Sequence, residues 1–202
     1  MKRYNFAIIP PDAVKERAIE ISKRIAKHDS LFILNEKNLH PHISLYHVTL
    51  DPKDLPTIIE KSHAILRSRK PFQMTQDSYR ITQGVWVDVA YAKKQNIMDI
   101  HTALINATKD FRLEKGGEKN REDWIDLTEE QKRNILNCGW SSSFDLFTPH
   151  LTFTKLKEGN TNILTSLPRE NFSFLVESIG LFELGDYGTC TNLIAHMPIG
   201  EK

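Results

Sequence analysis

Apolar and polar residues alternate along this chain in two rhythms, and their order predicts a mixed α+β protein. Residues 3–9 (Arg-Tyr-Asn-Phe-Ala-Ile-Ile) have the composition of a strand, ended by Pro10 and Pro11. From Asp12, apolar Val14, Ala18, Ile21 and Ile25 recur at helical spacing, with Lys15, Glu16, Lys23 and Arg24 on the other face. Residues 40–50 are β-rich until Asp51-Pro52, and Pro56 stands near the start of a second helix through Ile58, Ile59, His63 and Leu66. Residues 72–81 and 85–91 predict two antiparallel strands joined around Gln83-Gly84. A third helix over about 96–111 carries Ile97, Ile100, Leu104 and Ala107 on one face. After a polar, glycine-broken loop at 114–123, Thr128-Glu-Glu-Gln131 predicts a capping box opening a short helix through Ile135. Residues 146–156 are again strand-like. The chain closes with strands over 172–184 and 189–197, joined by Gly185-Asp186-Tyr187-Gly188.

The two halves echo each other. Pro41-His42-Ile43-Ser44 leads through a helix to Phe72, Ser78-Tyr79-Arg80-Ile81, a turn and Val85-Trp86-Val87-Asp88-Val89. Pro149-His150-Leu151-Thr152 leads through a polar stretch to Phe172, Ser178-Ile179-Gly180-Leu181, a turn and Asn192-Leu193-Ile194-Ala195-His196. An internal duplication predicts two pseudo-symmetric lobes with one histidine strand each, within one bilobal domain over 1–202. Residues 114–143 depart furthest from the correspondence, as a substrate-selecting lid or a tolerated insertion.

Composition narrows the chemistry. A net charge of +1 gives no basic excess for a long nucleic-acid backbone and favours a small anion recognised locally. Cys138 and Cys190 lie far apart and are expected to be free thiols in a reducing compartment. The opening apolar run stops at Pro10, too short for a secretory segment, and no stretch is long enough to span a membrane. A cytoplasmic monomer is expected.

Of the 8 histidines, three begin a His-x-Ser/Thr: His42, His47 and His150. With a hydroxyl at roughly one position in eight, about one such match arises by chance, so the motif alone is weak. Context separates the three. His42 and His150 each follow a proline and fall at equivalent places in the two halves. Residues two apart share a face of a strand, so His42 points with Ser44 and His150 with Thr152, while Ile43, Leu45, Leu151 and Phe153 point into a core. Two imidazoles with pKa values near neutrality can flank a phosphate, one taking a proton and one giving it, while two hydroxyls hold its oxygens. His47 and Thr49, an odd number of residues beyond His42 and Ser44, are expected on the opposite face. His40-Pro-His42 has a metal-type His-x-His spacing, but no accompanying acidic or His-Glu-x-x-His motif supports a metal, and none is expected.

On these residues the chain resembles the two-histidine (2H) phosphoesterases, the superfamily of 2′-5′ RNA ligase-like proteins and 2′,3′-cyclic phosphodiesterases. The resemblance covers most of the chain: the opening strand, both histidine strands and the duplicated layout. It implies two antiparallel β lobes with helices outside and a cleft holding both motifs. It also implies metal-independent opening of a 2′,3′-cyclic phosphate on a nucleotide or RNA end, with no cofactor. Catalysis would fall to His42 and His150, and phosphate holding to Ser44 and Thr152. The family commonly has Thr where Ser44 stands, and the hydroxyl is kept. Four further residues are candidates for substrate binding. Tyr46 shares the His42 face if its strand stays regular. Lys155 reaches the phosphate if a bulge turns it inward. Phe6 either stacks on a base or is plain core, and Tyr187 either closes over a nucleotide or is an exposed turn residue. The alternatives are a nucleotide-binding module without turnover, a 2′-5′ RNA ligase and a 3′-end-trimming phosphodiesterase.

Overall fold

The computed structural model describes residues 2–113, 123–159 and 162–200. Its elements are β1 (Lys2–Ile8), α1 (Asp12–Ile25), β2 (Ile43–Leu50), α2 (Leu55–Arg67), β3 (Phe72–Met74), β4 (Gln76–Thr82), β5 (Trp86–Tyr91), α3 (Gln95–Thr108), α4 (Glu129–Cys138), β6 (His150–Lys155), α5 (Ile163–Ser166), β7 (Phe174–Val176), β8 (Ser178–Leu184) and β9 (Cys190–Pro198). The protein is α+β, with antiparallel strand pairing throughout the described ladders.

Most predicted elements are present, with one shared difference. The runs 72–81 and 172–184 each divide, into β3 with β4 and β7 with β8, and each first piece is three residues long. The short first pieces, β3 and β7, pair with each other in a two-stranded sheet. Gln83 and Gly84 at the β4–β5 turn have φ of 51° and 73°, the left-handed backbone that lets a tight hairpin follow the twist of its strands.

The duplicated halves do not build one lobe each. Seven strands form a continuous sheet in the order β4-β5-β6-β2-β1-β8-β9. The β4–β5 hairpin, from the first half of the chain, flanks the His150 strand β6. The β8–β9 hairpin, from the second half, flanks β1 beside the His42 strand β2. Each histidine strand therefore sits in a layer completed by the other half. The layers meet at a single residue pair, Ile43 with Leu151, and on either side of it the ladder between β2 and β6 is lost.

One face of this sheet is covered by helices. α1 packs against β6, α3 against β2, and α2 against α3 and β9. Their apolar stripes, including Val14, Ile21, Ile58, Leu66, Ile97 and Leu104, join Ile43, Leu45, Leu151 and Phe153 in one buried cluster. The alternation read from the sequence thus holds next to each histidine: Ile43 and Leu151 are fully buried, and the polar residues flanking them face away from the helices.

Part of the 114–143 departure is well-anchored structure, while residues 114–122 lie outside the described residues. The capping box is present: the Gln131 N–H donates to Thr128 Oγ1 at 3.2 Å, and the Thr128 N–H to Gln131 Oε1 at 2.8 Å. Gly139, at φ 86°, ends α4, and the Asn134 amide donates to the carbonyls of Ser141 and Ser143, which ties down the segment that follows. Thr128→Ala is expected to cost about 1 kcal/mol, the usual worth of such a cap, read as a lower denaturation midpoint. Among the described residues no helix is long and apolar enough to cross a membrane.

Candidate active site

His42 and His150 are held by the same local device. His42 Nδ1 lies 2.8 Å from the carbonyl of His40, and His150 Nδ1 lies 2.7 Å from the carbonyl of Thr148. A carbonyl only accepts, so each Nδ1 carries its proton and each Nε2 is left to exchange one. The residue between ring and carbonyl is a proline in both cases, and its restricted φ narrows where that carbonyl can lie. This gives the Pro-His spelling of both motifs a physical reason.

The single pair Ile43–Leu151 places the four motif groups. In an antiparallel register, the residues beside it bring His42 next to Thr152 and Ser44 next to His150, all on the helix-free face. All four line a cleft of about 480 Å³ that opens where the two layers separate. That is room for a nucleotide-sized ligand.

Each motif is followed by a β-bulge, and the bulges reassign several expected residues. Along β1 and β2, Ala7 pairs with Ser44 and Phe6 with Tyr46, so Leu45 is an extra residue. Along β5 and β6, Asp88 pairs with Thr152 and Val87 with Thr154, so Phe153 is the extra one. One added residue inverts the alternation beyond it. Tyr46 is consequently fully buried, its ring stacked on Phe6 at 6.5 Å and its hydroxyl donating to the Cys138 carbonyl at 2.5 Å. The expectation of Tyr46 on the His42 face is corrected. Phe6, also fully buried, packs in the core and has no access to a base.

His47 is corrected in the opposite direction. It lines the cleft with His42, its Nε2 3.1 Å from Ser44 Oγ, and stacks against Trp140 at 4.7 Å. Thr49, grouped with it, lines an adjoining cavity. At the matching place after the second bulge, Lys155 turns from the core. Its Nζ sits 5.0 Å from the ring centres of both Trp86 and Tyr187, two cleft-lining residues. Tyr187 lies at the cleft at φ 56° with its ring stacked near Phe32. Thr154 is buried and donates to the Phe32 carbonyl. His40 does not converge with His42 but lines another cavity near Phe182. No cluster of three or more potential metal ligands occurs among the described residues.

The electrostatics follow from enclosure. Burial pulls the His42 pKa down to about 4, against the pull of its bond to the His40 carbonyl, and the neighbouring His150 lowers it further. His47 is drawn down to about 3 by burial, with His42 and Arg3 adding to it. Ser44 Oγ also accepts from the Asn5 amide at 2.8 Å, so a buried β1 residue fixes the hydroxyl.

Sequence reading missed Arg3, Arg80, Asp88 and Trp140, all of which line the cleft. Asp88, 1% exposed, accepts from Arg80 Nε at 2.5 Å and from Thr82 at 3.0 Å, directly beside Thr152 in the register. An acidic residue between valines was the available signal. His101 was also missed. It is fully buried on α3, its Nδ1 2.6 Å from the carbonyl of the bulge residue Leu45 and its Nε2 accepting from the Phe144 N–H at 2.8 Å. A histidine within an apolar helix face, between Ile100 and Leu104, announced it.

Similarity to known proteins agrees with this fold. The chain matches TT0787 of Thermus thermophilus at 16% identity and TM-score 0.60, covering 99% of this chain and 100% of that one. It matches Escherichia coli LigT, crystallised with phosphate, at 15% identity and TM-score 0.60, covering 99% and 98%. The same protein crystallised with 3′-AMP matches at 14% identity and TM-score 0.57, with the same coverage. At such identities these likenesses establish the fold. No curated protein sequence matches this chain. The family, however, is set by sequence over most of the length, since residues 10–188 match its description: this chain belongs to the 2′-5′ RNA ligase superfamily.

Proposed function

We propose that this protein is a metal-independent phosphodiesterase that opens the 2′,3′-cyclic phosphate of a nucleotide or RNA end. The observation that carries the reading is the matched pair of imidazoles, each with Nδ1 tied to the carbonyl two residues back and each with a hydroxyl two residues on. Membership of the superfamily supports it, as does the binding of phosphate and 3′-AMP by E. coli LigT.

The roles follow from proton bookkeeping. With its pKa held near 4, His42 is neutral at physiological pH, and its Nε2, beside the Gly188 backbone, takes a proton from the attacking water, the Gly188 carbonyl favouring the protonated ring that results. The water oxygen bonds to phosphorus, the bond to one ribose oxygen breaks, and His150 Nε2 delivers a proton to that departing oxygen. Nδ1 of His150 keeps its proton on the Thr148 carbonyl throughout. A phosphate monoester leaves, and exchange with solvent returns one proton from His42 and one to His150. The bound phosphate anion raises the proton affinity of His42, which offsets part of the cost of enclosing that ring. Ser44 and Thr152 donate to the non-bridging oxygens.

The test is turnover of 2′,3′-cyclic mononucleotides by the purified protein in the presence of excess chelator. Phosphate monoester product at an unchanged rate is expected. Nucleotide binding without product would refute the reading and leave a binding module. Loss of activity with chelator would refute metal independence.

A further inference from the structure

The cleft does not end at the two histidine motifs. Past His47 it continues into a second cavity of about 450 Å³, similar in size to the first, and Arg3, His47 and Trp140 line both. The His47–Trp140 stack at the boundary offers an aromatic surface, and polar Thr49 and Ser141 lie beyond it.

Three arginines face these cavities, and two are committed. Arg80 is paired with Asp88. Arg112 donates from Nη1 and Nη2 to the carbonyls of Ile135 and Leu136, at the electron-rich end of α4. Arg3 has no ion pair or hydrogen bond within the protein among the described residues. It projects from β1 opposite Thr49, five residues along β2 from Ser44. At about 3.3 Å per residue that is roughly 16 Å of strand, and the long side chain spans enough of it to line both cavities. An unneutralised guanidinium there is matched to a phosphate, which it can grip with two parallel hydrogen bonds.

We propose that Arg3 forms a second phosphate subsite, so that the cleft favours ligands carrying two phosphates on either side of one nucleoside. One phosphate lies between His42 and His150, which rests on the proposed function, and the other lies on Arg3. The second phosphate is either a terminal 5′-phosphate or an internucleotide phosphodiester, chemistry the same guanidinium recognises.

Calorimetric titration with three product-like probes tests this without turnover: adenosine 3′-monophosphate, adenosine 3′,5′-bisphosphate and a 3′-phosphorylated diadenosine monophosphate. At least one two-phosphate probe is expected to bind tenfold or more tightly than the monophosphate. Which one does so identifies the second phosphate. Arg3→Gln is expected to shrink that preference below threefold, and Arg3→Lys to retain only part of it, the charge without the paired hydrogen bonds. The slope of log affinity against log salt should be steeper for the preferred probe by about 0.7, and the excess should vanish in Arg3→Gln. Equal affinities for all three probes, or a preference that survives Arg3→Gln, would overturn the subsite. A preference lost in Arg3→Gln without any cyclic-phosphate turnover would leave the subsite standing and remove only the catalytic reading.

Discussion

Replacing His42 or His150 by alanine is expected to lower turnover of a 2′,3′-cyclic nucleotide by about 10²–10⁴-fold, the usual worth of a positioned acid or base. The two losses should not multiply. Water activation and leaving-group protonation serve one transition state, so the double variant is expected to fall little below the worse single one. What survives would come from Ser44, Thr152 and binding in the cleft. Both rings stand on the face of the sheet away from the helices, so circular dichroism and thermal midpoint should change little. Product formation measured by chromatography decides the matter. Activity within tenfold of the wild type in either variant would eliminate that ring as acid or base.

The second large effect concerns stability in acid. His101 is fixed as the neutral tautomer, because Nδ1 meets a carbonyl and Nε2 meets an N–H. Protonating Nε2 would place two donors face to face. Burial accordingly holds its pKa down to about 4. In the unfolded chain the same ring titrates near 6.5, so between those values the unfolded state binds more protons than the folded one. Stability contributed by His101 is therefore complete above about pH 6.5 and is lost as pH falls to about 4. For a fully buried ring this amounts to about 3 kcal/mol. His42 and His47 act with the same sign, but both are partly exposed and water lessens their share. Carboxylates held low by ion pairs, such as Asp12 and Glu183, add losses only as pH approaches their own range. Urea midpoints measured from pH 7.5 to 4.5 should fall steeply, and His101→Gln should flatten the slope while lowering stability at pH 7.5. Equal wild-type stability at pH 7 and pH 4.5 would defeat the argument.

His101 also links this titration to the site. It bonds the carbonyl of Leu45, the extra residue that turns His47 into the cleft, and it stacks on Phe147 at 4.2 Å, close to Thr148 and its bond to His150. Both motifs therefore lean on one buried ring.

Much of this was legible in the order of residues. Helices α1, α2 and α3 follow from apolar spacing, α4 from its capping box, and the pairing of His42 with His150 from the repeated Pro-His-x-hydroxyl. Those signals are local: a helical stripe, a cap, or two side chains on one strand face depend only on neighbours within a few residues. The exchange of hairpins between layers was not legible, because an internal repeat shows which segments are alike and says nothing of which strand each pairs with. The bulge at Leu45 escaped for the same reason, and the one at Phe153 stood only as a condition on Lys155. Residues 44–47 and 152–155 carry no glycine or proline to mark an irregularity, and the extra residue exists only relative to the register of β1 and β5. That register sent Tyr46 into the core and His47 and Lys155 toward the cleft, reversing or deciding what strict alternation had assigned. The sequence by itself thus determined the element order and the His42/Ser44 and His150/Thr152 pairs. The tertiary structure alone decided which residues surround them, because side-chain facing past a bulge is set by the partner strand.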